Sequence, residues 1–166
     1  MSDPKTFGPN SMANLTKGTY QYMAPELLNP RSYDRENSDP TKKSDIYAFG
    51  MTMYHVSATG RISTTVINGS VQVLTRNEPF PNQKDGAIIY HVVEGKRPPG
   101  PTDPNGGLSD DAKRWLSDDV WTSISLCWSG KLKSRPGVNE VIEALEKAVE
   151  KDRNKSGTSG SKSSLI

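Results

Sequence analysis

Few side chains in this sequence are suited to acid–base, nucleophilic or ligand chemistry, and they do not cluster. His55, His91 and Cys127 lack the spacing of a metal site. Ser, His and Asp all occur, but no Gly-x-Ser-x-Gly elbow presents a nucleophile, so hydrolytic chemistry has no support. Four residues remain worth following. Thr19 is a hydroxyl in a Gly-Thr-x-x-Tyr stretch, Glu26 and Arg135 are opposite charges beside prolines, and Asp45 opens an apolar segment. By residue type alone these are a loop hydroxyl, two surface charges and a capping carboxylate.

The elements that must position them follow from pattern. Gly18 to Leu28 reads as an extended loop turning into a short helix. Pro25 pushes Ala24 out of the helical region and suits a first helical position, which puts Glu26 in a first turn where negative charge is favoured. The strongest helix runs from Ser44 to about Thr59, with Ser44 as its cap and Asp45 in its first turn. Ile46, Phe49, Gly50, Met53 and Tyr54 share one face, and Tyr47, Ala48, Met51 and Val56 add apolar surface elsewhere. A helix apolar on most sides belongs at the centre of a core.

Further along, Thr64–Ile67 and Ser70–Leu74 flank Asn68-Gly69, a hairpin signal, and we expect a β-hairpin insertion over 61–77. Residues 87–94 form a helix stopped by Gly95. Ser117 caps another, whose Val120, Ile124, Cys127 and Trp128 lie on one face. Pro136 starts the last, lined by Val138, Val141, Ile142, Leu145, Ala148 and Val149.

Composition sets outer limits. The chain has 166 residues, 33% hydrophobic and 24% charged, enough for one domain with a modest core. A net charge of +2 is too near neutral to imply nucleic acid or an anionic membrane as partner. One cysteine excludes an intrachain disulfide framework. The N-terminus lacks the apolar core of a signal peptide and no stretch is long and apolar enough to span a membrane, so a cytoplasmic protein is expected. The sequons at Asn14, Asn68 and Asn154 then carry no glycan.

The wording of several stretches is more specific than their pattern. Gly18-Thr19-x-x-Tyr22-x-Ala24-Pro25-Glu26 resembles the end of the activation segment of eukaryotic protein kinases, in its Ser/Thr form. Ser44-Asp45-Ile46-Tyr47-Ala48-Phe49-Gly50 resembles the central helix of the kinase C-terminal lobe. Pro79-Phe80, Gly95-Lys96-Arg97-Pro98, Val120-Trp121 through Cys127-Trp128, and Ser134-Arg135-Pro136 resemble later kinase segments, in the manner of tyrosine-kinase-like Ser/Thr kinases. The resemblance covers residues 18–150 and implies a mainly α fold, a partial kinase C-terminal lobe. It implies a flexible arm or activation-loop remnant over 1–17 and a disordered tail over 151–166.

The resemblance also assigns roles. Thr19 matches the threonine that hydrogen-bonds the catalytic aspartate and lysine beside the substrate-binding loop. Asp45 matches an aspartate that accepts backbone N–H bonds from the catalytic loop. Glu26 and Arg135 match a buried ion pair tying the activation segment to the last helices. In the intact family the reaction is phosphoryl transfer from ATP, with magnesium, to protein hydroxyls. This sequence holds no Gly-rich phosphate loop, no paired strand lysine and no His-Arg-Asp loop, and Thr6-Phe7-Gly8 has a neutral hydroxyl where Asp-Phe-Gly carries a metal ligand. The expectation is therefore a kinase fragment with no catalytic residue, cofactor or metal of its own, inactive alone, its partner a protein substrate. The other reading is a pseudokinase-like docking lobe whose partner is a protein held on 61–77 and 87–94.

Overall fold

The structure is a computed structural model that describes residues 19–58, 63–67, 70–74, 78–103, 108, 110, 113 and 116–158. The arm at 1–17, the Asn68-Gly69 turn and residues 159–166 lie outside the described residues. Among the described residues there are five α-helices, three 3-10 turns and one pair of strands. The helices are α1 (Pro25–Leu28), α2 (Lys42–Ala58), α3 (Asp85–Val93), α4 (Asp118–Cys127) and α5 (Val138–Thr158). The fold is mainly helical.

Helix α2 organises the packing, against α4 on one side and the 3-10 turn Tyr20–Tyr22 on the other. Tyr47, Met51 and Tyr54 enter a core with Ala24, Phe80, Ile88, Val92, Leu116, Ile124 and Trp128. Ile46 joins Cys127 and Val141 in a second, smaller cluster. Gly50 permits the close approach of α2 and α4, since a Cβ there would stand 2.7 Å from the Cys127 Cβ. Helix α5 packs on α4, and α1 on α3.

Two details of α2 differ from the sequence expectation. Thr41, not Ser44, is the cap: the Ser44 amide donates to Thr41 Oγ1 at 3.1 Å and the Thr41 amide to Ser44 Oγ at 2.7 Å. This is a reciprocal capping box with serine in the third helical position. Nor is α2 covered on most sides, because Phe49 and Val56 remain 43% and 47% exposed. Ser117 stands at the N-cap of α4 but makes no side-chain cap bond there; its carbonyl accepts the Trp121 amide at 2.8 Å.

At the end of α3, Gly95 adopts a φ of 78°. Its amide donates to Val92 O and that of Lys96 to His91 O, which closes the helix with glycine in the left-handed position. Helix α5 continues past residue 150 to Thr158, so the first residues of the expected tail are helical. Lys151 Nζ lies 2.6 Å from Asp119 Oδ2 and ties the far part of α5 to α4. Strands Ser63–Ile67 and Ser70–Leu74 pair antiparallel, with Ile67 opposite Ser70.

Candidate functional site

The best-defined polar arrangement joins two residues far apart in the chain. Pro25 occupies the first position of α1, with Ala24 extended before it (φ −65°, ψ 144°), and this turn buries Glu26. Arg135 follows the 3-10 turn Leu132–Ser134 with an extended backbone, and it too is buried. Arg135 Nη1 donates to Glu26 Oε1 at 2.6 Å and Nη2 to Oε2 at 2.8 Å, a two-pronged fork. Neither side chain has any solvent exposure.

Two further guanidinium donors are also used. Arg135 Nε donates to Ser129 O at 2.8 Å and Nη1 also to Lys43 O at 2.9 Å. Lys43 Nζ returns to the carbonyls of Arg135 and Pro136. A buried pair survives desolvation only when its leftover donors and acceptors are satisfied, and here carbonyls do that.

Tyr47 lies against the same group. The Arg135 guanidinium carbon is 5.0 Å from its ring centroid and that of Arg97 is 5.1 Å. Burial pushes the Tyr47 phenol up to about 12, against the lowering effect of the two arginines. Its hydroxyl is buried without a hydrogen-bond partner.

The loop that leads into α1 is pinned separately. The Tyr22 hydroxyl and His55 Nδ1 are 2.5 Å apart and share a hydrogen bond, with the two rings stacked. Burial lowers the His55 pKa from its ordinary value, and the Glu78 carboxylate opposes that shift. Burial raises the Tyr22 pKa, and Glu78 adds to the rise.

Of the four residues singled out from sequence, the structure brings Glu26 and Arg135 together. Thr19 is exposed; its carbonyl accepts the Tyr22 amide at 3.0 Å and its side chain makes no cap bond. Asp45 is exposed in the first turn of α2, beside an apolar groove of about 720 Å³ shared with Ile46, Phe49, Val138, Ile142 and Leu145. Arg97, Tyr47 and His55 were not picked out as site residues. Arg97 carried a signal in Gly-x-Arg-Pro, but its contacts to Tyr47 and to Trp128 O cross the sequence and leave no local pattern.

Among the described residues, no group of three or more His, Cys, Asp or Glu is arranged to hold a metal ion. No helix among them is long and apolar enough to cross a membrane. The burial of Cys127 pushes its thiol up to about 11, which removes it as a nucleophile.

A buried carboxylate–guanidinium fork that ties a Gly-Thr-x-x-Tyr-x-Ala-Pro-Glu turn to the last helices is a protein-kinase arrangement. Residues 6–145 match the protein tyrosine and serine/threonine kinase family, and the chain belongs to that family. It is 30% identical over 140 residues to the serine/threonine-protein kinase mos of Patiria pectinifera, covering 82% of this chain and 29% of that protein. Against the serine/threonine-protein kinase VIK of Arabidopsis thaliana identity is 28% over 133 residues, 80% of this chain and 22% of that one. Human receptor-interacting serine/threonine-protein kinase 1 is 27% identical over 149 residues, 84% and 18% respectively. The chain thus spans less than a third of the length of each of these curated relatives.

Proposed function

We propose that this chain is the later part of the C-terminal lobe of a Ser/Thr protein kinase of the tyrosine-kinase-like subgroup, and that by itself it does not transfer phosphate. The observation that carries this reading is the Glu26–Arg135 fork beneath the Gly-Thr-x-x-Tyr loop. Such an anchor serves a loop that receives a protein substrate. The exposure of Thr19 at the start of that loop supports a role for it in meeting groups supplied from outside these residues. Asp45, exposed on α2, is likewise open to accept backbone N–H bonds.

No ATP or magnesium is expected on these residues, because the sequence lacks a Gly-rich phosphate loop, a His-Arg-Asp loop and an Asp-Phe-Gly. No chemical step is therefore assigned to this chain. Its partner is a protein, and its place is the cell interior. The discriminating experiment is label transfer from γ-labelled ATP to a protein substrate by the purified chain, paired with calorimetry of Mg-ATP binding. Both should be silent. Label transfer by the chain alone overturns the reading.

A non-catalytic docking lobe is the second reading, favoured by apolar side chains left open on α3 and α5. Tyr90 is 59% and Val138 61% exposed. Capture of a defined protein partner that is lost on Tyr90→Asp would support it over the first.

A further inference from the structure

Arg97 lies in the segment after α3 and makes no ion pair among the described residues. Its guanidinium, partly buried, is engaged by the chain through Nε and Nη1. Nε donates to Trp128 O at 3.0 Å, and Nη1 to Val92 O at 3.2 Å and Lys96 O at 2.8 Å. Arg135 donates its own Nε to the very next carbonyl, Ser129 O. The two arginines therefore grip consecutive peptide carbonyls at the end of α4, and both lie over the ring of Tyr47. Tyr47 is itself fully buried.

We infer that Arg97 is a positioning residue for the Glu26 turn, acting through the Tyr47 ring and the Trp128–Ser129 backbone. The physical reason is that Arg135 has little freedom of its own. Its fork on Glu26 keeps its aim only while the ring beneath it and the carbonyl at its Nε stay fixed. Arg97 fixes both: it loads the same ring and holds the neighbouring carbonyl. A partly buried cation over a fully buried aromatic face is strong enough to matter at this distance. The segment 95–98 and the turn 24–28 are thereby coupled.

Amide hydrogen exchange in the full chain tests this. The reporters are Leu27, which donates to Ala24 O at 2.9 Å, and Asn29, which donates to Pro25 O at 2.9 Å. Arg97→Ala should speed exchange at both by roughly two- to fivefold, the size expected from losing a partly exposed cation–ring contact. The Trp121 and Val141 amides, bonded to Ser117 O and Gly137 O, should not change. Tyr47→Leu should speed the same two reporters, Tyr47→Phe should leave them alone, and Arg97→Ala on Tyr47→Leu should add less than it does on the wild-type chain, because only the Trp128 route is then left to lose. Arg97→Lys, which keeps a cation but cannot make both the Trp128 and Val92 bonds, should fall between.

Two results overturn the inference. One is acceleration confined to Gly95 and Lys96, which makes Arg97 a local tie. The other is equal acceleration at Trp121 and Val141, which makes it a general stabiliser. Should Arg97→Ala fail to fold, Arg97→Lys with the Tyr47 variants decides between the same outcomes. The readout is backbone opening rather than phosphoryl transfer, so it stands or falls apart from the proposed function.

Discussion

Arg135 is the residue whose loss the structure tolerates least. Arg135→Ala leaves the Glu26 carboxylate buried without its counter-charge, at a cost of about 3–5 kcal/mol. A chemical denaturation midpoint measures it, and a loss under ~0.5 kcal/mol, the range of surface changes, would contradict the buried geometry. Tyr47→Phe should behave oppositely. It deletes a buried hydroxyl that has no partner and keeps the ring, so the melting temperature should hold or rise. His55 sets a pH dependence with a definite sign. Burial lowers its pKa in the folded chain below the ordinary 6.5, so the unfolded chain takes up the proton first. Stability is then full above that ordinary value and declines as pH falls below it. His55→Gln should flatten that part of a melting-temperature profile taken from neutral pH to about pH 5.

Elements were more legible in the sequence than the contacts between them. Pro25 at a first helical position, Gly95 at a helix end and the Ile124–Cys127–Trp128 face all rest on local rules, and the structure has each of them. The cap of α2 was misplaced because serine and threonine compete by type, and only the fold shows that Ser44 lies buried inside the first turn while the Thr41 hydroxyl accepts its amide. The extent of α5 was missed for a similar reason: its anchor, Asp119, belongs to another helix. Glu26 and Arg135 entered as a pair only through family resemblance, since no rule of spacing links residues so far apart. Tyr47 and Arg97 had no such help. At the α2–α4 crossing, Gly50→Ala should force the helices apart against Cys127, costing about 1–3 kcal/mol by overpacking. A thermal melt checks this; a neutral effect would mean that the crossing yields easily.

For the molecule as a whole, the described residues leave a sizeable apolar groove between α2 and α5. Ile46 and Val141 line it from the buried side, and Phe49, Val138 and Ile142 remain 43%, 61% and 48% exposed around it. Uncovering several such side chains forgoes roughly 1.5–3 kcal/mol each relative to full burial. That is a large share of the ~5–15 kcal/mol that holds an ordinary domain together. The purified chain should therefore bind a hydrophobic dye and melt broadly. Substituting Phe49 and Ile142 with Ser should reduce dye binding with little loss of stability. A sharp cooperative melt without dye binding would show that the groove is closed in solution.

The fork between Glu26 and Arg135 also has a consequence in time. Its partners are 109 positions apart. On a ribosome adding ~5–20 residues per second, the carboxylate emerges about 5–20 s before the guanidinium exists to meet it. During that interval the Ala-Pro-Glu turn has nothing to close upon, and a nascent chain is exposed to chaperones and proteases until the residues just before the helix Val138–Thr158 have been made.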